Sequence, residues 1–368
     1  MPEPSLIEEA ERLGQALVPV AEGGTPGRVN RELALALGAS GMFDRIFKEE
    51  GVAAVDLCRI RQGLARACTE AETALAVQGL GGSPIHLNAA ATVKERWMPL
   101  LRSGEAVAAF ALTEPGAGSD VANIALEAVA DGDGYRLNGE KRYISNAPEA
   151  DVATVFARTT QDAGARGVTA FVVPIDTDGI TPIHLDMLSP HPLGGWVFDG
   201  AFVASDHVLG EVDQGFRVAM QTLDMFRPSV GAFAVGMAEA ALRIAVEHAG
   251  QREAFGSPIS EFQGVSHQLA DVRTAIEASS HLVYAAAAAY DSGGDETLTG
   301  KAAMAKVHAT ETAQHAVDVA IQVLGARGLE SDSTLAHLYK EVRAPRIYEG
   351  TSEIQRNIIA REMFRQRI

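Results

Sequence analysis

Apolar residues recur at steps of three and four near both ends of the chain, whereas the middle alternates in the manner of strands. In the first zone this periodicity predicts helices over 7–17, 55–77 and 89–101. Stretches rich in glycine at 23–27 and 79–84 interrupt the pattern, so they are predicted to be loops. The beginning of the chain is therefore expected to be mostly helical.

Short β-type runs separated by turn signals fill the middle zone. Predicted strands cover 107–112, 125–130, 135–137, 141–145, 152–156, 169–173 and 196–203. The Asp/Gly run at 131–134 and the Asn138-Gly139 pair each predict a hairpin turn. Turns at this spacing predict an antiparallel barrel or sandwich of about 100 residues.

Helical periodicity returns in the last third of the chain. An apolar stripe from Phe262 to Ile276 and a long segment over 302–324 both predict helices. The order helix, sheet, helix differs from the strand–helix alternation of a dinucleotide-binding fold. The fold class is thus α+β and multi-domain, with a helical domain over 1–107, a β domain over 108–213 and a helical domain over 214–368.

Charge and cysteine content narrow the possible functions. The 368 residues hold 31 Lys+Arg and 48 Asp+Glu, a net charge of −17, which disfavours binding to nucleic acid or to anionic lipid. No apolar run approaches the length of a membrane span, and the N-terminal stretch is acidic where a leader would be basic. Cys58 and Cys68 form no CxxC motif or Cys/His cluster, so we expect no disulfide, no metal and a cytoplasmic setting.

Three clusters combine residue types that bind ligands or catalyse reactions. In FALTEPGAGSD (110–120), Gly116 and Gly118 would let backbone amides approach a ligand, although a plain turn has the same composition. In IYEGTSEIQ (347–355), Glu349 precedes a glycine at a helix break, so it either faces a cleft or pairs with a nearby arginine. In QREAFGSP (251–258), Arg252 could bind a phosphate or be a solvated surface charge.

Taken together, these clusters resemble the acyl-CoA dehydrogenase family of flavoproteins. The resemblance extends over LNGEKRYISNA (137–147), LDMFRPSVGAFAVGMAEAALR (223–243), QREAFGSPISEFQ (251–263), QVLGARGLE (322–330) and IYEGTSEIQRNIIAREMF (347–364). It implies a helical N-terminal domain, a middle β domain, a C-terminal helical bundle similar to a four-helix bundle, and a homotetramer built as a dimer of dimers. It also implies FAD as cofactor and an acyl-CoA substrate that loses two hydrogens from adjacent carbons.

The resemblance assigns the catalytic base to Glu349, because the alternative family position is Phe226 here. A buried carboxylate with a raised pKa suits the removal of a weakly acidic α-proton. The substrate-binding positions implied by the match are Ser119, Arg227, Tyr348 and Gly350.

The resemblance also assigns cofactor-binding positions. They are Phe110, Leu112, Thr113, Ser119, Tyr143, Ser145, Thr351 and Glu353, with Arg252, Phe255, Gln263, Gln322 and Gly325 reaching FAD from a neighbouring subunit. Tyr143 and Ser145 replace a Trp and a Thr of the family pattern. Glu353 stands where Gln is frequent, and Ala326 replaces a glycine.

Several alternatives share this scaffold. An electron-transfer flavoprotein is the expected electron acceptor, but an oxidase that uses oxygen and an enzyme acting on an acyl-carrier protein fit the same motifs. A non-catalytic, DNA-associated relative would need a basic surface, which the charge of −17 disfavours. Nitroalkane oxidation typically uses an Asp base and desulfination lacks the base, so neither matches Glu349.

Overall fold

The structure, a computed structural model, describes residues 5–48, 53–147, 149–294 and 296–366. Residues 1–4 of the acidic N-terminal stretch lie outside this part of the chain. The described residues form two compact units. We call them the helical unit, drawn from Met1–Ala16, Ala53–Glu72 and Asp224–Ile368, and the sheet unit, drawn from Leu17–Val52 and Thr73–Leu223.

Six helices precede the sheet in the described part of the chain. They are α1 (Leu6–Glu22), α2 (Arg31–Ala39), α3 (Met42–Ile46), α4 (Ala54–Ala65), α5 (Thr69–Asn88) and α6 (Ala91–Ser103). Two of them, α2 and α3, are not among the predicted helices. The predicted helix over 55–77 is two helices, separated at residues 66–68. Gly63, which interrupts the apolar pattern there, lies inside α4, where a Cβ would be 2.3 Å from the Ile7 carbonyl oxygen.

The predicted loop at 79–84 is wrong, because α5 continues through it. Two of the three glycines in this stretch, Gly81 and Gly82, face neighbouring structure. A Cβ on Gly81 would lie 2.8 Å from the backbone nitrogen of Ala109, and one on Gly82 would lie 2.6 Å from the Phe47 ring. The glycines therefore permit close packing of α5, and they do not break it.

One seven-stranded sheet dominates the sheet unit. Its strands are β1 (Ala108–Ala111), β2 (Glu127–Asp131), β3 (Gly134–Ser145), β4 (Val152–Arg158), β5 (Val168–Pro174), β6 (Ile180–Leu185) and β7 (Leu193–Ala204). The strand order is β1-β4-β2-β3-β7-β6, and β5 also pairs with β4. β4 runs parallel to both β1 and β2, so the sheet is mixed and not wholly antiparallel as predicted.

The predicted hairpin between β2 and β3 is confirmed, but the second turn is not. β3 continues through Asn138 and Gly139, where a register shift against β7 replaces the expected turn. Gly139 has a φ of +136°, which explains why a turn-like pair occurs within a strand. The apolar side of the sheet packs around the fully buried Trp196.

The C-terminal region is helical, as predicted. After the long α7 (Gly215–Gln251), a small hairpin of β8 (Glu253–Ala254) and β9 (Ser257–Pro258) leads to the remaining helices. These are α8 (Gln263–Asp291), α9 (Leu298–Leu324), α10 (Thr334–Glu341) and α11 (Ser352–Gln366). Alanine and valine side chains of α7, α8 and α9 form the core of the helical unit.

By length and composition alone, α7 could cross a membrane. However, 78% of its most apolar segment is buried within the protein. A long apolar helix that is covered on most sides by protein is typical of the central helix of a bundle.

Candidate active site

Glu349 lies on a strained turn between two helical segments. A short 3-10 helix (Ala344–Arg346) ends just before it, and α11 begins at Ser352. Glu349 has a φ of +52° and Gly350 a φ of +90°. A left-handed conformation at a glutamate costs free energy, and such residues cluster at functional sites.

Three buried polar side chains hold the two carbonyls of this turn. Arg227 Nε donates to the Glu349 carbonyl oxygen at 3.4 Å, and Gln355 Nε2 donates to the same oxygen at 3.1 Å. Gln355 Nε2 also donates to the Gly350 carbonyl at 2.9 Å, and Lys306 Nζ donates to it at 2.7 Å. The backbone is thus fixed from α7, α9 and α11 at once.

The carboxylate of Glu349 is left available by these contacts. Its Oε2 is buried and has no hydrogen-bond partner in the described part of the chain. Burial raises the pKa of Glu349 above its ordinary value, while the nearby charges of Arg61, Arg227 and Lys306 oppose that rise. A buried carboxylate oxygen without a partner is chemically able to accept a proton, and the alternative of a direct ion pair with an arginine is not observed among the described residues.

A buried ion pair lies in the same unit. Arg61 Nε bonds Glu72 Oε1, and Arg61 Nη1 donates to Ser229 Oγ at 2.6 Å. The two charged side chains are only 3% and 0% exposed. Although Tyr348 is 37% exposed, desolvation of its phenol and the negative charge of Glu72 raise the pKa of this group above its ordinary value.

Four buried polar residues of this region were not among the predicted site residues: Arg61, Glu72, Lys306 and Gln355. The sequence gives only a weak signal for the first three, because the helix of each also carries other charged residues, such as Arg59 near Arg61, Glu70 near Glu72 and Lys301 near Lys306. Such residues are rarely buried unless they are paired or have a role in a site.

Residues expected at the flavin from the sheet unit gather at the end of β1. Phe110 lies in β1 against Phe156, with the ring centres 4.9 Å apart. The carbonyl of Leu112 accepts from Lys141 Nζ at 3.0 Å, and that of Thr113 accepts from the Arg142 amide at 3.1 Å. The end of β1 is therefore tied to β3.

A buried carboxylate completes this arrangement. Glu114 Oε1 accepts from Lys141 Nζ at 2.7 Å and from the Leu126 amide at 3.0 Å. Burial outweighs the charge of Glu114 and lowers the pKa of Lys141 to about 8. Glu114 and Lys141 thus fix the strand end that precedes the glycine-rich turn.

Tyr143 and Ser145 lie near the end of β3. Tyr143 has a φ of +60° at a second register shift, and its side chain is 53% exposed. A strained, half-exposed aromatic residue inside a strand is unusual, and such strain is most frequent at functional sites. Ser119 is exposed, and no atom would lie within 4 Å of a Cβ at Gly116 or Gly118, so the turn around it is open.

The five positions expected to reach a neighbouring subunit are all exposed: Arg252, Phe255, Gln263, Gln322 and Gly325. Phe255 is 99% exposed at the tip of the β8–β9 hairpin. It has a φ of +52° and is followed by Gly256 at +91°, the pattern of a two-residue hairpin loop. Full exposure of an aromatic ring is expected where another molecule covers it.

Thr351 and Glu353 belong to the first turn of α11. Thr351 Oγ1 accepts from the Ile354 amide at 3.3 Å and so caps the helix. The pKa of Glu353 is lowered by its own backbone amide and by the Thr351 hydroxyl. Both side chains therefore have local roles, in addition to the cofactor contacts that the resemblance implies.

Family models match most of this architecture. The model for the acyl-CoA dehydrogenase middle domain matches residues 109–198, and the model for the C-terminal domain matches residues 213–364. Among curated proteins, the chain is similar to the 3-(aryl)acrylate reductase of Clostridium sporogenes. The two are 36% identical over 343 residues, which cover 91% of this chain and 90% of the relative.

Solved structures agree with these matches. The butyryl-CoA dehydrogenase of Megasphaera elsdenii superposes with a TM-score of 0.91 and 31% identity, and the match covers 99% of both chains. The structure of PigA with FAD and proline has a TM-score of 0.91 and 27% identity, and covers 98% of this chain and 96% of PigA.

Proposed function

The chain belongs to the acyl-CoA dehydrogenase family of FAD-dependent oxidoreductases, and on this basis we propose that Glu349 is the base that removes the α-proton of an acyl-CoA. The observation that supports this role is the buried Oε2 of Glu349, which has no hydrogen-bond partner in the described chain. A carboxylate oxygen left in this state is costly unless it has a chemical task.

The residues present fit a flavin. Tyr143 offers a half-exposed ring on a strained backbone, and Gly325 has a φ of +60° with no atom within 4 Å of a Cβ placed there, so its backbone is open to a phosphate. We propose that Phe110, Leu112, Thr113, Tyr143 and Ser145 bind the ring system. When bound, FAD supplies the acceptor for the β-hydrogen.

The proton transfer itself depends on the turn at Glu349. Arg227, Lys306 and Gln355 hold the carbonyls of the turn, so the carboxylate does not need to reorganise when the proton arrives. Burial raises the proton affinity of Glu349, and the surrounding cations keep that rise limited. In the reverse direction, protonated Glu349 would return a proton to the α-carbon, which is the sense of reaction that the name of the clostridial relative describes.

The proposal extends to partners. We propose an electron-transfer flavoprotein as electron acceptor, a homotetramer as the assembly and the cytoplasm as the location. The fully exposed Phe255, with the four other exposed positions expected to reach a neighbouring subunit, supports an assembly in which one copy covers part of another.

An anaerobic titration tests the function. Straight-chain, branched and aromatic acyl-CoAs are added to the yellow protein, and flavin absorbance is followed. We expect bleaching with at least one acyl-CoA, and loss of bleaching by at least about 10²-fold in rate for Glu349→Gln, because an amide cannot accept the α-proton. The rate of flavin reduction in the parent should fall as the pH is lowered, because protonated Glu349 is inactive. We expect the midpoint of this acid limb of the pH–rate profile to lie above the ordinary pKa of a glutamate.

The exposed Glu330 provides a matched control, and Glu330→Gln should behave like the parent. A Glu349→Gln protein that is reduced as fast as the parent would show that another group is the base. If no acyl-CoA bleaches the parent, the same titration with an acyl-carrier-protein thioester distinguishes a different carrier from a different reaction.

A further inference from the structure

Lys306 is a lysine in the middle of α9 with no exposed surface. Its Nζ donates to the carbonyl oxygen of Gly350 at 2.7 Å. Burial lowers its pKa to about 8, even though Glu349, Glu311 and Glu353 favour the charged form. An ammonium group is expensive to bury, so its contact with a backbone carbonyl calls for an explanation.

The carbonyl that Lys306 holds follows directly after Glu349. The left-handed conformation of Glu349 is strained, and such strain persists only where neighbouring groups impose it. Gln355 already donates to both carbonyls of the turn, so a neutral donor satisfies part of the hydrogen bonding. Lys306 adds a stronger, charge-assisted bond and a positive charge close to the base.

We propose that Lys306 is a positioning residue for Glu349: its ammonium fixes the Gly350 carbonyl, and with it the turn that presents the carboxylate, while its charge favours the ionised base. This role rests on the proposed function of Glu349.

The charges around Glu349 and Lys306 come from several helices. Glu349 is influenced by Arg61 from α4, Arg227 from α7 and Lys306 from α9. Lys306 is influenced by Glu349, by Arg227, by Glu311 on its own helix and by Glu353 on α11. Glu311 is already engaged by Ser352 at 2.7 Å and by Arg346 at 2.8 Å.

Removal of the Lys306 charge should change the pKa of Glu349 in one direction only. Lys306 lowers the pKa of Glu349, so a neutral replacement should raise that pKa. The acid limb of the reduction rate would then move to higher pH. A purely structural role for Lys306 would change stability without moving this limb.

Two variants separate hydrogen bonding from charge. Lys306→Met removes both, and Lys306→Gln keeps an N–H donor without the charge. We expect Lys306→Met to slow flavin reduction by about 10²-fold at saturating acyl-CoA, with little change in KM, because a misplaced base is inefficient. Lys306→Gln should recover most of the rate at high pH, and both variants should show the acid limb at higher pH than the parent.

Flavin content and far-UV circular dichroism show whether each variant is folded, and the exposed Lys340 supplies the control Lys340→Met. If Lys306→Met does not fold, Lys306→Gln still carries the test. A folded Lys306→Gln with the parent acid limb would overturn the inference.

The experiments distinguish a failure of the proposed role of Glu349 as base from a failure of the proposed role of Lys306. An active Glu349→Gln would overturn the proposed base, and the role of Lys306 with it. An inactive Glu349→Gln beside a Lys306→Gln that matches the parent would overturn only the role of Lys306.

Discussion

Charged side chains with almost no exposed surface are the most informative residues of this protein. Arg61 and Glu72 in the helical unit, and Glu114 and Lys141 in the sheet unit, each form a buried pair that also bonds other groups. Burying a charge costs more than most single contacts return, so such pairs are weak evidence for stability. Each pair lies in the unit of a predicted site and fixes neighbouring elements there.

Breaking the Arg61–Glu72 pair on one side should be strongly destabilising. Arg61→Met leaves Glu72 buried without this partner, and we expect the free energy of unfolding to fall by about 3–5 kcal/mol. The double variant Arg61→Met with Glu72→Met should recover much of that loss, because no charge then remains buried. Urea unfolding followed by circular dichroism measures both effects.

The exposed pair of Arg273 and Glu277 is the control for this comparison. Arg273→Met should change the free energy of unfolding by less than about 1 kcal/mol, as is usual for exposed ion pairs. If Arg61→Met were equally mild, the pair would contribute no more than a surface contact.

Among the elements, α5 shows how packing can override a local sequence signal. Glycine and proline at 79–84 lower helix propensity, and a single sequence gives no view of the β1 backbone that lies against Gly81. Helix α5 tolerates Gly81 because only glycine allows this approach. Thr154 Oγ1 strengthens it by donating to the Gly81 carbonyl at 2.8 Å.

Gly81→Ala should therefore destabilise the protein although it raises helix propensity. A Cβ there would lie 2.8 Å from a backbone nitrogen, and we expect a loss of about 1–3 kcal/mol, as for other overpacked sites. Gly250→Ala near the end of α7 is the matched control, because no atom lies within 4 Å of its Cβ position. That change should stabilise by about 0.4–1 kcal/mol, and thermal unfolding of both variants measures the contrast.

Features of the fold and the site that depend on local sequence could be predicted, whereas features that depend on distant parts of the chain could not. The long helices and most of the strands follow from periodicity, because each has one apolar face. The register shift between Leu137 and Asn138 and the strained Tyr143 do not, because they depend on how β3 pairs with β7. The motif predicts a role for Glu349, whereas the contact of Lys306 depends on the packing of α9, and that of Gln355 depends on how the chain folds back on the turn within the motif.

For the whole molecule, the distribution of exposed functional positions is more informative than the net charge. The five positions expected to reach a neighbouring subunit all lie in the helical unit and are all exposed. In the homotetramer that we propose, these positions would complete a cofactor site on another copy. Cofactor retention would then depend on assembly.

Arg252→Ala tests this dependence. If Arg252 binds a phosphate of FAD, its loss should weaken FAD binding by about 10- to 100-fold, as expected for a charge-assisted hydrogen bond. The ratio of flavin to protein after gel filtration at several protein concentrations measures this. Arg273→Ala, another exposed arginine, should retain FAD like the parent, and equal retention by Arg252→Ala would exclude the phosphate contact.

The positions of the two tryptophans have a practical consequence for such measurements. Trp97 and Trp196 are both buried, and both belong to the sheet unit. Intrinsic fluorescence therefore reports the unfolding of the sheet unit, while far-UV ellipticity is weighted toward the long helices of the helical unit. Coincident transitions by the two methods would show that the units unfold together, and separate transitions would give each unit its own midpoint.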